Sequence, residues 1–158
     1  MITDVYISMN GIFTDFDSYY ATCAPNDPDQ RHRWYEVITH VRIYDRLDMI
    51  KGSYELVRYF KDLPINVQIL TSTETAVPKL VMETQQQRTR WLMKHGVPFK
   101  PLFVYDQFQK SKYASPTSLL ITANSNAAAA FSSKGGKVIF YKDVETTKTE
   151  FIELVKSA

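Results

Sequence analysis

The stretch Val5-Tyr6-Ile7-Ser8-Met9-Asn10-Gly11-Ile12-Phe13-Thr14-Asp15-Phe16-Asp17 constrains this chain more than any other. It starts as an apolar, β-branched run, which reads as a buried strand. Asn10-Gly11 then breaks the run, because both residues tolerate the left-handed backbone of a tight turn. A strand that ends in such a turn, early in a chain of alternating strands and helices, lies where open parallel sheets place their ligand crevice. A site at the carboxyl end of this strand is the first expectation.

The rest of the chain supplies the alternation. Residues 2–8 read as the first strand, Asp15 to Cys23 as a short helix, and Ala24 to Asp29 as a loop holding two prolines. Gln30 to Arg46 mixes bases with aromatics (Arg31, His32, Arg33, Trp34, Tyr35, Arg42, Arg46) and reads as a helical insert over the crevice. Arginines and aromatics can also hold nucleic acid, but a partly buried insert with solvated charges is the preferred reading. Ser53 to Asp62 is the next expected helix, capped by Ser53 and stopped by Pro64. Asn66 to Thr71 is the second strand, and Pro78 opens a helix to about His95, closed by Gly96 and Pro98. Leu102 to Tyr105, Ser118 to Thr122 and Lys137 to Tyr141 are the remaining strands. Between the last two lies a helix, Ala127 to Ser133, behind Asn124 or Ser125 as cap and before the Gly135-Gly136 turn. Thr147-x-x-Glu150 is expected to open the last helix as a capping box. Strands alternating with helices imply right-handed crossovers and a parallel sheet.

A length of 158 residues suits one domain. The net charge of +2 gives no electrostatic argument for nucleic acid or an anionic membrane. One cysteine, Cys23, excludes an internal disulfide and fits a reducing compartment. With no run long enough to cross a bilayer, the expected location is the cytoplasm.

Several segments, in order, resemble the haloacid dehalogenase (HAD) phosphohydrolases, and among them the small 5′-nucleotidase or deoxyribonucleotidase-like members. The family's first motif is a hydrophobic strand followed by Asp-x-Asp-Gly-x-x-x-Asp-Phe. Here Gly11, Asp15 and Phe16 match, while Ser8 and Asn10 stand at the two aspartates. Met49 to Phe60 resembles the segment after the family's cap insert, and Val67 to Thr73 its second motif, a strand ending in a phosphate-binding hydroxyl. Arg90 to Gly96 resembles the helix end before the third strand. Gln109 to Ala114 resembles the third motif, with Lys110 as its lysine and Lys112 as the alternative. Leu119 to Ala123 stands where the family has a strand followed by Asp-Asp, and Gly135 to Ile139 matches the Gly-Gly turn into the last strand. Small relatives of this kind occur in bacteria and bacterial viruses, so a phage origin fits the resemblance.

The resemblance implies an aspartyl-phosphate mechanism whose parts are missing here. Ser8 replaces the nucleophile, and no histidine in the motif activates it. Asn10 replaces the acid/base aspartate, and an amide exchanges no proton near neutral pH. Family Mg²⁺ needs oxygen ligands from the first and fourth motifs, where Ser8, Thr122 and Ala123 supply no carboxylate. Glu74, Asp106 and Asp17 are the carboxylates that could rebuild a metal site, and Asp15 reads as a helix cap or hydrogen-bond acceptor.

The expected fold is therefore α/β, a three-layer Rossmann-like core with a five-stranded parallel sheet and a small helical insert at residues 17–50. The expected function is a catalytically inactive pseudo-phosphatase that binds a phosphate or nucleotide ligand or a protein partner, itself or another copy, with no cofactor and Mg²⁺ lost. Ser8, Asn10, Gly11, Thr71, Ser72 and Lys110 are the candidate anion site; in the bland alternative Lys110 is solvated and Thr71 caps a turn. An active nucleotidase-type phosphatase with relocated groups, and a structural subunit using the core as scaffold, are the rival readings.

Overall fold

The computed structural model describes residues 1–23 and 26–157, so Ala24 and Pro25 of the expected loop lie outside the described residues. A five-stranded sheet of order β3-β2-β1-β4-β5 forms the centre, from β1 (Asp4–Ile7), β2 (Asn66–Ser72), β3 (Lys100–Val104), β4 (Ser118–Thr122) and β5 (Lys137–Phe140). All neighbours pair in parallel. β1 is central, with Ile7 in register between Ile69 and Ile121, and all three are fully buried. The chain first builds outward from β1 to β2 and β3, then returns to add β4 and β5 on the other side. That reversal opens a crevice beside the end of β1. Pro101 sits inside β3, earlier than the expected start of this strand at Leu102, and the edge position lets a residue without an N–H belong there.

Alternate residues of each strand feed two cores. Val5, Ile7, Ile69, Leu119 and Ile121 face α3 (Tyr54–Phe60), α4 (Pro78–Lys94) and α6 (Val144–Lys156) through Leu56, Phe60, Trp91, Leu92 and Phe151. Tyr6, Leu70 and Leu120 face α5 (Ser125–Ser133) through Ala127 and Phe131. Helices thus cover both faces of a parallel sheet, the three-layer arrangement.

Between β1 and α3 come α1 (Phe16–Thr22), α2 (Gln30–Glu36), a π turn at Val37–Val41 and a 3-10 turn at Ile43–Asp45. Their two ends are pinned together, since Ile50 N–H donates to Phe13 C=O at 2.8 Å and Thr14 pairs with Met49. Asp15 caps α1 by accepting from Ser18 N–H, and Asp29 caps α2 by accepting from Arg31 and His32 N–H. No helix among the described residues is long and apolar enough to cross a membrane.

Two expected caps are corrected. Ser53 turns its hydroxyl back to Ile50 C=O at 2.7 Å and makes no side-chain cap. α6 opens at Val144, capped by Asp143, whose carboxylate accepts from Thr146 N–H at 2.7 Å. Asp143 is a strong cap and pre-empts Thr147, which is buried one turn inside and donates to Asp143 C=O.

Gly136 is required by space. A Cβ there would lie 2.2 Å from the ring of Phe131 and 3.1 Å from Ala114 Cβ. Phe131 is fully buried and has nowhere to retreat. Gly136→Ala is expected to destabilise the fold by about 1–3 kcal/mol, the range for overpacking, read as a lower midpoint in urea with an unchanged slope.

Candidate functional site

The crevice at the carboxyl ends of β1, β2 and β4 has a volume of about 260 Å³. Ser8 continues β1 by donating its N–H to Ile121 C=O. The chain then turns at Gly11, at φ +85°, where a Cβ would press on Ala123 Cβ at 3.1 Å. Only glycine lets the first turn and the end of β4 approach this closely. Ser8, Asn10, Gly11, Thr71, Ser72, Lys110, Thr122 and Ala123 all line this one crevice. Lys112 is exposed, so Lys110 is the lysine that reaches the site.

Lys110 comes from a 3-10 turn, Phe108–Tyr113, and is buried. Its Nζ donates to Ser8 Oγ at 3.0 Å. Burial is the main reason its pKa falls to about 7; the nearby Arg88 charge adds to the fall, and Glu74 opposes it. The reading in which Lys110 is merely solvated is therefore overturned.

Arg88 is the functional group that the sequence reading missed. It is fully buried, and its Nη1 donates to Thr71 Oγ1 and to Ser72 C=O, each at 2.6 Å. Its Nε donates to Thr84 Oγ1 at 3.1 Å, and its plane lies over the Tyr44 ring, 4.5 Å from the centroid. Burial lowers its pKa, yet a guanidinium stays charged at any working pH. Its Nη2 has no partner among the described residues. A signal was present: Leu80, Thr84, Arg88 and Trp91 share the buried face of α4, so periodicity placed Arg88 inside. Thr71 thus receives this arginine and does not cap a turn.

The hydroxyl of Ser72 is committed. It donates to Glu74 Oε1 at 2.7 Å and accepts from Gln107 Nε2 at 3.0 Å. Its expected role as a free donor to a phosphate is corrected, since its proton already faces a carboxylate. Glu74 itself sits at φ +58°, a region that a non-glycine residue enters at a cost of about 1–2 kcal/mol. Its N–H to Tyr105 C=O, at 2.8 Å, holds it there.

The insert closes the other wall. Phe16 stacks on Tyr44 and on Tyr20, each with centroids 5.5 Å apart, and Trp34 packs edge-on against Phe16 and Tyr20. Asn10 ties this wall to β1: its Nδ2 donates to Tyr44 Oη at 2.8 Å, and its Oδ1 accepts from Thr14 Oγ1 at 2.8 Å. Trp34 Nε1 and Gln107 Oε1 also line the crevice without partners among the described residues.

These donors do not fit Mg²⁺. The positions nearest the turn offer two hydroxyls, an amide and a methyl group, with an amine already on Ser8 and a guanidinium on Thr71. Among the described residues, no three His, Cys, Asp or Glu side chains gather closely enough for a metal ion. Asp106 is turned to Gln109 N–H, Glu74 is taken by Ser72, and Asp17 is left alone on the rim of the crevice.

No protein-family model matches this sequence, and no curated protein matches it. Solved structures do share its fold. A hydrolase from Streptococcus pneumoniae TIGR4 superposes with a TM-score of 0.60 at 12% identity, covering 95% of this chain and 98% of its own. The L-2-haloacid dehalogenase from Xanthobacter autotrophicus, with chloropropionic acid covalently bound, gives 0.51 at 12% identity, over 87% of this chain and 76% of its own. A second structure of the L-2-haloacid dehalogenase from Xanthobacter autotrophicus gives 0.52 at 12% identity. The chain shares the three-layer, Rossmann-like α/β fold of these proteins.

Lys110 yields a pH prediction. Between about 7 and its ordinary 10.5, the unfolded chain holds a proton that the folded chain has lost, so stability rises with pH across that window. The burial penalty is fully present below pH 7. Lys110→Met should remove this slope and raise the melting temperature more at pH 6 than at pH 10, measured by calorimetry in anion-free buffer.

Proposed function

We propose that this protein is a pseudo-phosphatase, inactive as a phosphohydrolase, whose crevice binds a phosphate group without metal. One observation carries the reading: the unpartnered Nη2 of buried Arg88, beside the buried amine of Lys110, in a crevice whose carboxylate positions are empty of carboxylates. Buried Arg88, joined by Lys110 once it is protonated, favours an anion because the low local dielectric amplifies the attraction, with Glu74 as the carboxylate acting against it. Ser8 Oγ–H lies on the same crevice, and Trp34 faces it from the insert.

The family's own chemistry has no foothold here. Ser8 and Asn10 carry no carboxylate for an aspartyl-phosphate or for acid/base exchange, and Thr122 and Ala123 none for the metal. Phe16 and Trp34, the aromatic residues lining the crevice, suit a nucleotide monophosphate as the larger ligand, in line with the nucleotidase-like pattern of the sequence. The free, buried thiol of Cys23 suits a reducing, cytoplasmic setting.

Calorimetric titration with inorganic phosphate and with deoxynucleoside monophosphates, in chelator, tests this reading. Binding is expected without metal, and Mg²⁺ should leave the melting temperature unchanged. Arg88→Met should weaken binding by about 10–100-fold, as for a lost charge-assisted hydrogen bond. Sulfate, whose charge is constant, should bind more tightly at pH 6 than at pH 9, because Lys110 must take up a proton. Mg²⁺-dependent turnover of p-nitrophenyl phosphate would overturn the proposal.

A further inference from the structure

We propose that Ser8 and Lys110 form a nucleophile–base pair that accepts an acyl group from a small neutral ester. The pair stands on geometry: Nζ and Oγ are 3.0 Å apart, both side chains are buried, and both line the crevice. That distance is within reach for proton transfer. A lysine serves as base only when neutral, and a dry site that favours the free amine supplies this condition. Desolvation and the Arg88 charge on α4 act in that direction here; Glu74 after β2 acts against them, and Asp17 is the remaining carboxylate on the crevice.

The chemistry balances without metal or redox partner. Lys110 Nζ takes the Ser8 hydroxyl proton while Oγ bonds to the ester carbonyl carbon. The tetrahedral adduct collapses, the bond to the leaving oxygen breaks, and the Lys110 ammonium returns its proton to that oxygen. Water then attacks the acyl-serine, Lys110 takes its proton, and Ser8 Oγ leaves with a proton from Lys110. For the oxyanion, the turn after Ser8 offers the N–H of Asn10, which makes no hydrogen bond among the described residues, and Arg88 on the same crevice adds positive charge.

The ester must be neutral. A phosphate in the crevice favours the Lys110 ammonium and removes the base, so the anion site described above acts as an off switch for this pair. A volume of about 260 Å³ beside the Phe16 ring admits a short acyl chain.

The experiment is release of p-nitrophenolate from p-nitrophenyl acetate by the intact protein in anion-free buffer, with peptide mass mapping of the acetyl group. Ser8→Ala should abolish the specific release, and Lys110→Met should lower its rate by about 10²–10⁴-fold, the range for a general base. Exposed Lys112, changed to Met, should leave it unchanged. The rate should rise with pH through about 7, and inorganic phosphate should inhibit it. Release that survives Ser8→Ala, acetyl groups found only elsewhere, or a pH profile unaltered in Lys110→Met would overturn the proposal. Phosphate binding measured on the same samples separates the two readings: binding without acylation sinks the nucleophile pair alone, and acylation insensitive to phosphate sinks the anion site alone.

Discussion

A guanidinium taken wholly out of water has to be held by fixed acceptors, and Arg88 finds them on three different parts of the chain. Thr84 lies on its own helix, Thr71 and Ser72 lie at the end of β2, and the Tyr44 ring lies in the insert. Burial of this one side chain therefore fixes α4 against the sheet end and fixes the insert over both. Tyr44 passes the constraint on to Asn10, and Asn10 to Thr14 at the turn after β1. The crevice keeps its shape because a charge inside it tolerates no other arrangement.

That charge inverts the logic of a metal phosphohydrolase. In such a site carboxylates gather a cation, and the cation in turn holds the substrate's phosphate. Here a buried guanidinium and a buried amine are built into the protein, and Ser8, Asn10, Thr122 and Ala123 stand where the resemblance places carboxylates, leaving Glu74 and Asp17 on the crevice. Keeping Lys110 and Arg88 dry costs stability. Arg88 recovers part of that cost through the contacts that hold α4, β2 and the insert together, whereas Lys110 has only the Ser8 hydroxyl.

Much of this was legible in the sequence, for reasons tied to particular residues. The apolar run into Asn10-Gly11 located β1 and its turn, and β4 was bounded correctly because Ser118 to Thr122 is buried throughout. Motif order brought Ser8, Thr71, Lys110 and Thr122 to one crevice. What stayed hidden were choices made by tertiary contacts. Thr147 and Asp143 both suit a helix cap, and only the chain path after β5 decides between them. Ser72 resembles a free phosphate ligand until Glu74, held in a left-handed conformation, claims its proton. Arg88 sits in a polar run, Gln85-Gln86-Gln87-Arg88-Thr89-Arg90, where composition suggests a solvated face and only the helical phase points inward.

Restoring the two family aspartates is a sharper probe of this charge balance than any single deletion. In Ser8→Asp with Asn10→Asp, the first carboxylate would meet Lys110 Nζ where Ser8 Oγ now stands 3.0 Å away. The new carboxylates face Lys110 and Arg88, and Lys110 should regain its proton through neutral pH. The second aspartate loses the amide donor that Asn10 extends to Tyr44, but the Tyr44 hydroxyl can donate instead. The double variant should therefore fold, lose the pH slope in stability that Lys110 imposes, and lose phosphate binding, since its cations are already paired. It should gain no Mg²⁺-dependent rise in melting temperature, because Thr122 and Ala123 still offer no carboxylate. Titrating its stability from pH 6 to 10, with and without Mg²⁺, reads all of these at once. A Mg²⁺-dependent stabilisation there would mean that the crevice still holds the geometry of a metal enzyme, and that the cations are incidental to it.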